Sequence, residues 1–173
     1  VDRKSYSSIR QFVTLTRRYA RVKTRDTGGM SVLLAQAPIL GLAMWVVFPA
    51  PDAGALFMLA LSALWFGASA SVRELIAERT IWRREARVGL SVTAYLASKV
   101  TVLGSIVAFQ CLTLSGMNYF MMGMYQDPYL FSLPKLAAVT TLTGFVGMAL
   151  GLLMSAVFSS SEAAVGTLPL VLI

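Results

Sequence analysis

A chain of 173 residues that is 57% hydrophobic and 13% charged carries about half the charge of a water-soluble domain, where the share is nearer 25%. It contains no His and a single Cys, Cys111, which excludes Ser–His and Cys–His catalysis, intrachain disulfides and any His/Cys metal cluster. The net charge of +7 is unevenly placed: of 15 Lys and Arg, eight fall in residues 1–25, six in 73–99 and only Lys135 elsewhere, a pattern that suits the flanks of membrane spans rather than nucleic acid.

The first element in chain order is a helix over residues 8–25. Ile9, Phe12, Val13, Thr16, Tyr19 and Ala20 recur at helical spacing, and Arg10, Arg17, Arg18, Arg21 and Arg25 occupy the other faces. Such a helix is expected in the headgroup plane with its arginines toward phosphate, and Leu15 and Val22 blur the stripe. Gly28-Gly29 is expected to end it. No small-residue cleavage site marks a secretory signal.

Four stretches without any charge follow: 27–51, 53–72, 100–126 and 136–161. Each has at least 20 residues, enough to cross about 30 Å of hydrocarbon at about 1.5 Å per residue. The expected fold is an all-α polytopic membrane helix bundle. Span 1 covers about 31–48 and contains Pro38, span 2 covers 53–72, span 3 covers 100–122 and span 4 covers 136–158. The turn at 49–52 and the loop at 123–135, with Tyr119, Tyr125 and Tyr129 at interfacial depth, are poor in Lys and Arg and are expected outside. The turn 159–162 is short, and 163–173 begins a fifth span with 11 residues, so the bundle is expected to be incomplete at its C-terminus. The charge asymmetry places the N-terminus and residues 73–99 in the cytoplasm.

Small residues mark expected helix contacts: Ala63, Gly67 and Ser71 in span 2, and Gly144, Gly147 and Gly151 in span 4. No Asp, Glu, Lys or Arg lies inside the spans as drawn, which argues against a proton- or sodium-driven carrier. Cys111 reads as a packing residue.

Residues 73–87 form a helix of strong formers without Gly or Pro, with Leu75 and Trp82 on one face. Glu74 and Glu78 are a like-charge pair one turn apart, as are Arg79 and Arg83. No Glu has an Arg three or four residues away, so the mixed charges are expected to serve a protein partner.

The pattern E-R-x-I-W-x-R-E-x-x-x-G-x-x-x-x-A-Y-x-x-S-K from Glu78 to Lys99 resembles the first intracellular loop of G-type ABC exporters, the ABC-2 or type V class. Q-F-x-T-L-x-x-R-Y at 11–19 resembles their connecting helix, and S-S-S-E-A-A-V-G-T-L-P at 159–169 their turn between the fourth and fifth spans. Bacterial members that also carry forkhead-associated domains are the nearest likeness. The resemblance implies residues 1–29 as connecting helix and linker, 30–173 as the transmembrane domain, and 73–87 as a coupling helix. It implies an integral protein of the bacterial plasma membrane and a homodimer. It also implies a nucleotide-binding domain outside this chain that carries ATP and Mg.

In that reading Glu74, Glu78, Arg79, Arg83, Arg84 and Glu85 couple to the nucleotide-binding domain, and Gln11, Phe12, Arg17 and Arg18 belong to the connecting helix. Phe66 falls where the family has a substrate-stacking Phe, Ser62 on a polar pocket position, and Thr167 on the same pathway, whereas Ala63 replaces a polar residue seen in some members. The implied function is the permease portion of an ATP-driven exporter of a hydrophobic or amphipathic substrate. The chain itself has no catalytic site, no P-loop, no cofactor or metal, and no nucleic-acid partner. The alternative is a non-transporting membrane anchor or signalling module that docks a cytoplasmic partner.

Overall fold

A computed structural model describes residues 8–48, 50–87, 90–126 and 132–172. Seven helices follow one another, with no strand among the described residues: α1 (Ser8–Arg25), α2 (Thr27–Val47), α3 (Ala53–Ser71), α4 (Glu74–Arg87), α5 (Val92–Met121), α6 (Leu133–Val157) and α7 (Ser161–Leu172), with a 3₁₀ turn at Met124–Gln126. Four helical segments are long and apolar enough to cross a membrane: Thr27–Val47, Ala53–Trp82, Val92–Met121 and Leu133–Val157.

Local chemistry sets the helix starts. Asp26 accepts a hydrogen bond from Gly29 N at 3.0 Å and caps α2, so the expected break at the glycine pair falls at Asp26 instead. A Cβ on Gly29 would stand 2.4 Å from Asp26 Oδ2, so the glycine makes room for the cap rather than ending a helix. Asp52 caps α3 through Ala55 N at 2.7 Å, and Ser91 caps α5 through Ala94 N at 3.5 Å. Gly123, at φ +69°, takes the left-handed conformation that closes α5. α5 has 30 residues, about 45 Å, and begins eight residues before the expected start of span 3. Tyr129 lies outside the described residues.

α3 is the hub and packs on α2, α5, α6 and α7. Its contact with α6 unites the two small-residue stripes. A Cβ on Gly67 would lie 1.9 Å from Gly144 O, and one on Gly147 would lie 2.1 Å from Leu64 O. Ser71 Oγ donates to Met148 O at 2.9 Å and to Gly67 O at 2.8 Å. Backbone is thus packed on backbone, the arrangement that draws helices together where lipid supplies no hydrophobic drive.

Several polar side chains in the spans hydrogen-bond along or between helices, while Gln36 Oε1, Gln110 Oε1, Asn118 Oδ1 and Thr141 Oγ1 are buried without a partner among the described residues. Ser115 Oγ and Thr140 Oγ1 are 2.6 Å apart across α5 and α6. Pro38 cannot donate to the carbonyl of Leu34. The neighbouring carbonyl of Leu33 accepts from Gln110 Nε2 at 2.5 Å, so α5 supports α2 where its ladder is interrupted. Cys111 is fully buried in the core with Ala63, Phe66 and Val107.

Candidate functional site

Three pairs of side chains, each spaced i,i+4 and so sharing a helix face, converge at the end of the bundle that carries α1 and α4. They are Tyr19 and Lys23 on α1, Glu74 and Glu78 on α4, and Tyr95 and Lys99 on α5. Lys99 sits at the centre, 1% exposed. Its Nζ is 2.7 Å from Glu78 Oε1 and 3.5 Å from Glu74 Oε2. The same ammonium stands 3.5 Å from the centroid of the Tyr19 ring, a cation–π distance. Lys23 Nζ lies 2.5 Å from Glu74 Oε1, the Tyr19 hydroxyl donates to Glu74, and the Tyr95 hydroxyl donates to Glu78 Oε2 at 3.0 Å.

Two carboxylates thus meet two ammonium groups, and the cluster is neutral. Burial above all, and then the negative charge of Glu74, raises the Tyr19 hydroxyl well above its ordinary value. It stays a proton donor throughout the physiological range. The like charges of Glu74 and Glu78 would weaken α4 alone. Here Lys99 comes between them from another helix. The expectation that they stand unpaired for a partner is corrected: the carboxylates are used inside the chain.

A second lock joins α4 to α6. Ser155 Oγ accepts from Leu75 N at 2.9 Å and Ile76 N at 3.1 Å, capping the start of α4. Arg79 Nη2 donates to Ala156 O and Phe158 O, both at 3.0 Å, closing the end of α6. Each helix thus supplies the other's terminal partner.

The remaining expected residues divide. Gln11 accepts from Ser91 N at 3.0 Å and Phe12 packs with Leu15, Ala94 and Tyr95, so both tie α1 to the start of α5. Arg17, Arg18 and Arg84 are exposed. The side chains of Arg83 and Glu85 lie outside the described residues. The buried face of α1 differs from the expected stripe. Leu15 and Tyr19 are buried, while Ile9 and Val13 are 75% and 57% exposed. α1 docks on α5 with the residue that seemed to blur its pattern.

Ser62 and Thr167 are half-buried, on α3 and α7, two helices in contact. Phe66, which the resemblance implies as a substrate-stacking residue, does not face an open space in this subunit. Its ring is 0% exposed, enclosed with Met44 of α2 and Val107, Cys111 and Leu114 of α5. The exposed aromatics of this helix are Phe57, at 63%, and Trp65, at 38%. Phe66→Ala is therefore expected to lower stability by about 3–5 kcal/mol, the usual cost of an emptied aromatic site. Thermal unfolding of the detergent-extracted protein measures it, and an unchanged midpoint would contradict the packing described.

Sequence reasoning missed Tyr19, Lys23, Lys99 and Ser155 as cluster members. The available signal was Tyr-x-x-x-Lys, present at Tyr19–Lys23 and again at Tyr95–Lys99, on helices flanking Glu-x-x-x-Glu.

The sequence model of the family described as "ABC-2 type transporter" matches residues 10–173. The chain is 34% identical over 178 aligned positions to the ABC transporter ATP-binding/permease protein Rv1747 of Mycobacterium tuberculosis, an alignment that covers 90% of this chain. It spans 20% of the length of that relative. No solved structure matches.

Proposed function

The chain belongs to the ABC-2 type transporter family and is a transporter membrane domain, and from that premise we propose that it is the permease part of an ATP-driven exporter of the G-type, forkhead-associated-domain-linked kind. A nucleotide-binding domain, which binds ATP and Mg, lies outside this chain and contacts α1 and α4, and two copies of the subunit enclose the pathway. Arg17, Arg18, Arg83, Arg84 and Glu85 are the proposed contacts to that domain. Glu74, Glu78 and Arg79 act from behind, fixing α4 to the spans. α1 and α4 are cytoplasmic, in the plasma membrane of a bacterium. The substrate is hydrophobic or amphipathic and passes Ser62 and Thr167, with Phe66 supporting that surface from within α3.

The observation that carries this reading is the buried Lys99–Glu78 pair at 2.7 Å. It joins a helix long enough to span the membrane to the amphipathic α4, and Glu74 adds α1. A displacement of α4 by a docked ATPase is transmitted to α5 through short, charge-assisted contacts.

The test is Glu78→Arg in the full-length protein, with ATP hydrolysis and transport measured separately. Hydrolysis is expected to persist while transport falls about tenfold, within the ordinary range of coupling energies. Glu78→Gln keeps an acceptor for Tyr95 and is expected to be milder. Equal transport in wild type and Glu78→Arg would remove the coupling role.

A further inference from the structure

Between α4, the first turns of α5 and the last turn of α6 lies a pocket of about 560 Å³. Leu75, Trp82, Val92, Leu96 and Val157 give it apolar walls, and Arg79 supplies its charge. We propose that it seats one anionic phospholipid, independent of whatever substrate the transporter moves.

The depth fits. α5 is about 45 Å long against roughly 30 Å of hydrocarbon, so its first turns stand at headgroup level beside the end of α6. Trp82 has the amphipathic ring that prefers this boundary. Val92, Leu96 and Val157 are 50%, 40% and 73% exposed, an apolar surface that an acyl chain covers.

The charge also fits. Among the described residues no carboxylate lies within 4 Å of Arg79, because Glu74 and Glu78 face Lys99. Among the described residues Nη2 alone is engaged, by the carbonyls of Ala156 and Phe158, which leaves Nε and Nη1 to fork onto a phosphate. The α6 dipole offsets about half a charge, so a positive remainder persists. Among the described residues no acidic side chain lines the pocket to receive a choline or ethanolamine ammonium, so the site discriminates against zwitterionic lipids.

The test uses the full-length protein in phosphatidylcholine nanodiscs holding a trace of diazirine-bearing phosphatidylglycerol or, separately, diazirine-bearing phosphatidylcholine, with adducts mapped by mass spectrometry. Phosphatidylglycerol adducts on α5's first turns and α6's last turn should exceed phosphatidylcholine adducts about tenfold, as one charge-assisted pair supplies. Arg79→Gln should abolish the excess. Because Arg79 also closes α6, a second variant is needed. Val92→Asp puts a negative charge at the pocket mouth, on the first residue of α5 where a helix tolerates it, and should abolish the excess as well. Arg73→Gln, exposed and outside the pocket, should preserve it. Equal labelling by the two lipids in the unmodified protein, persistence of the excess in Val92→Asp, or its loss in Arg73→Gln would each overturn the proposal.

Discussion

Gly67→Ala and Gly147→Ala are each expected to cost about 3 kcal/mol or more and to remove most folded protein from the membrane. The added methyl has nowhere to go. At Gly67 it would stand 1.9 Å from one backbone oxygen, at Gly147 2.1 Å from another, and neither obstacle is a side chain that can swing away. The helices must separate, and with them goes the hydrogen bond from Ser71 to Met148 O. Gly116→Ala is the control, since nothing lies within 4 Å of a Cβ there. It should change stability by no more than about 1 kcal/mol, with helix propensity in its favour. The measurement is the fraction of detergent-extracted protein that stays monodisperse on heating. Wild-type melting of Gly147→Ala would disprove the close crossing of α3 and α6.

The second large effect is expected at Lys99. Lys99→Met leaves Glu74 and Glu78 facing each other, with Lys23 alone to balance them, and should cost about 3–5 kcal/mol. Combining it with Glu78→Gln should recover a substantial part, because the glutamine carries no charge and still accepts from Tyr95. The double-mutant cycle decides the matter: additive losses would mean that the two residues do not interact, whereas a large positive recovery identifies the pair.

The spans were legible because hydrocarbon imposes a coarse rule, about 20 residues without charge, that needs no tertiary knowledge. The contact between Ala63, Gly67 and Ser71 and the glycines of α6 was legible for a similar reason. Small residues at four-residue spacing leave a groove that only another backbone fills. The direction of Phe66 was not. A helical wheel separates faces but does not count neighbours, and α3 has four helices around it, so the face beside the glycine stripe is also enclosed.

The charge cluster was hidden more deeply. Within α4 alone Glu74 and Glu78 have no partners, because those of Glu74 stand 25 residues away on α5 and 55 residues away on α1, and Tyr95, which bonds Glu78, stands 17 residues away on α5. Leu15 was misjudged in the same way: its value depends on α5 being beside it, not on lipid below it.

The exchange of terminal partners between α4 and α6 has a consequence for biosynthesis. The cap that completes the first turn of α4 is Ser155, 80 residues downstream of Leu75. A ribosome that has just finished α4 has not yet made that acceptor, nor the carbonyls of Ala156 and Phe158 that hold Arg79. Helix α4 therefore reaches its final form only after the last turn of α6 has been synthesised and brought alongside. Assembly has a built-in order, in which α4 is finished after the spans that support it.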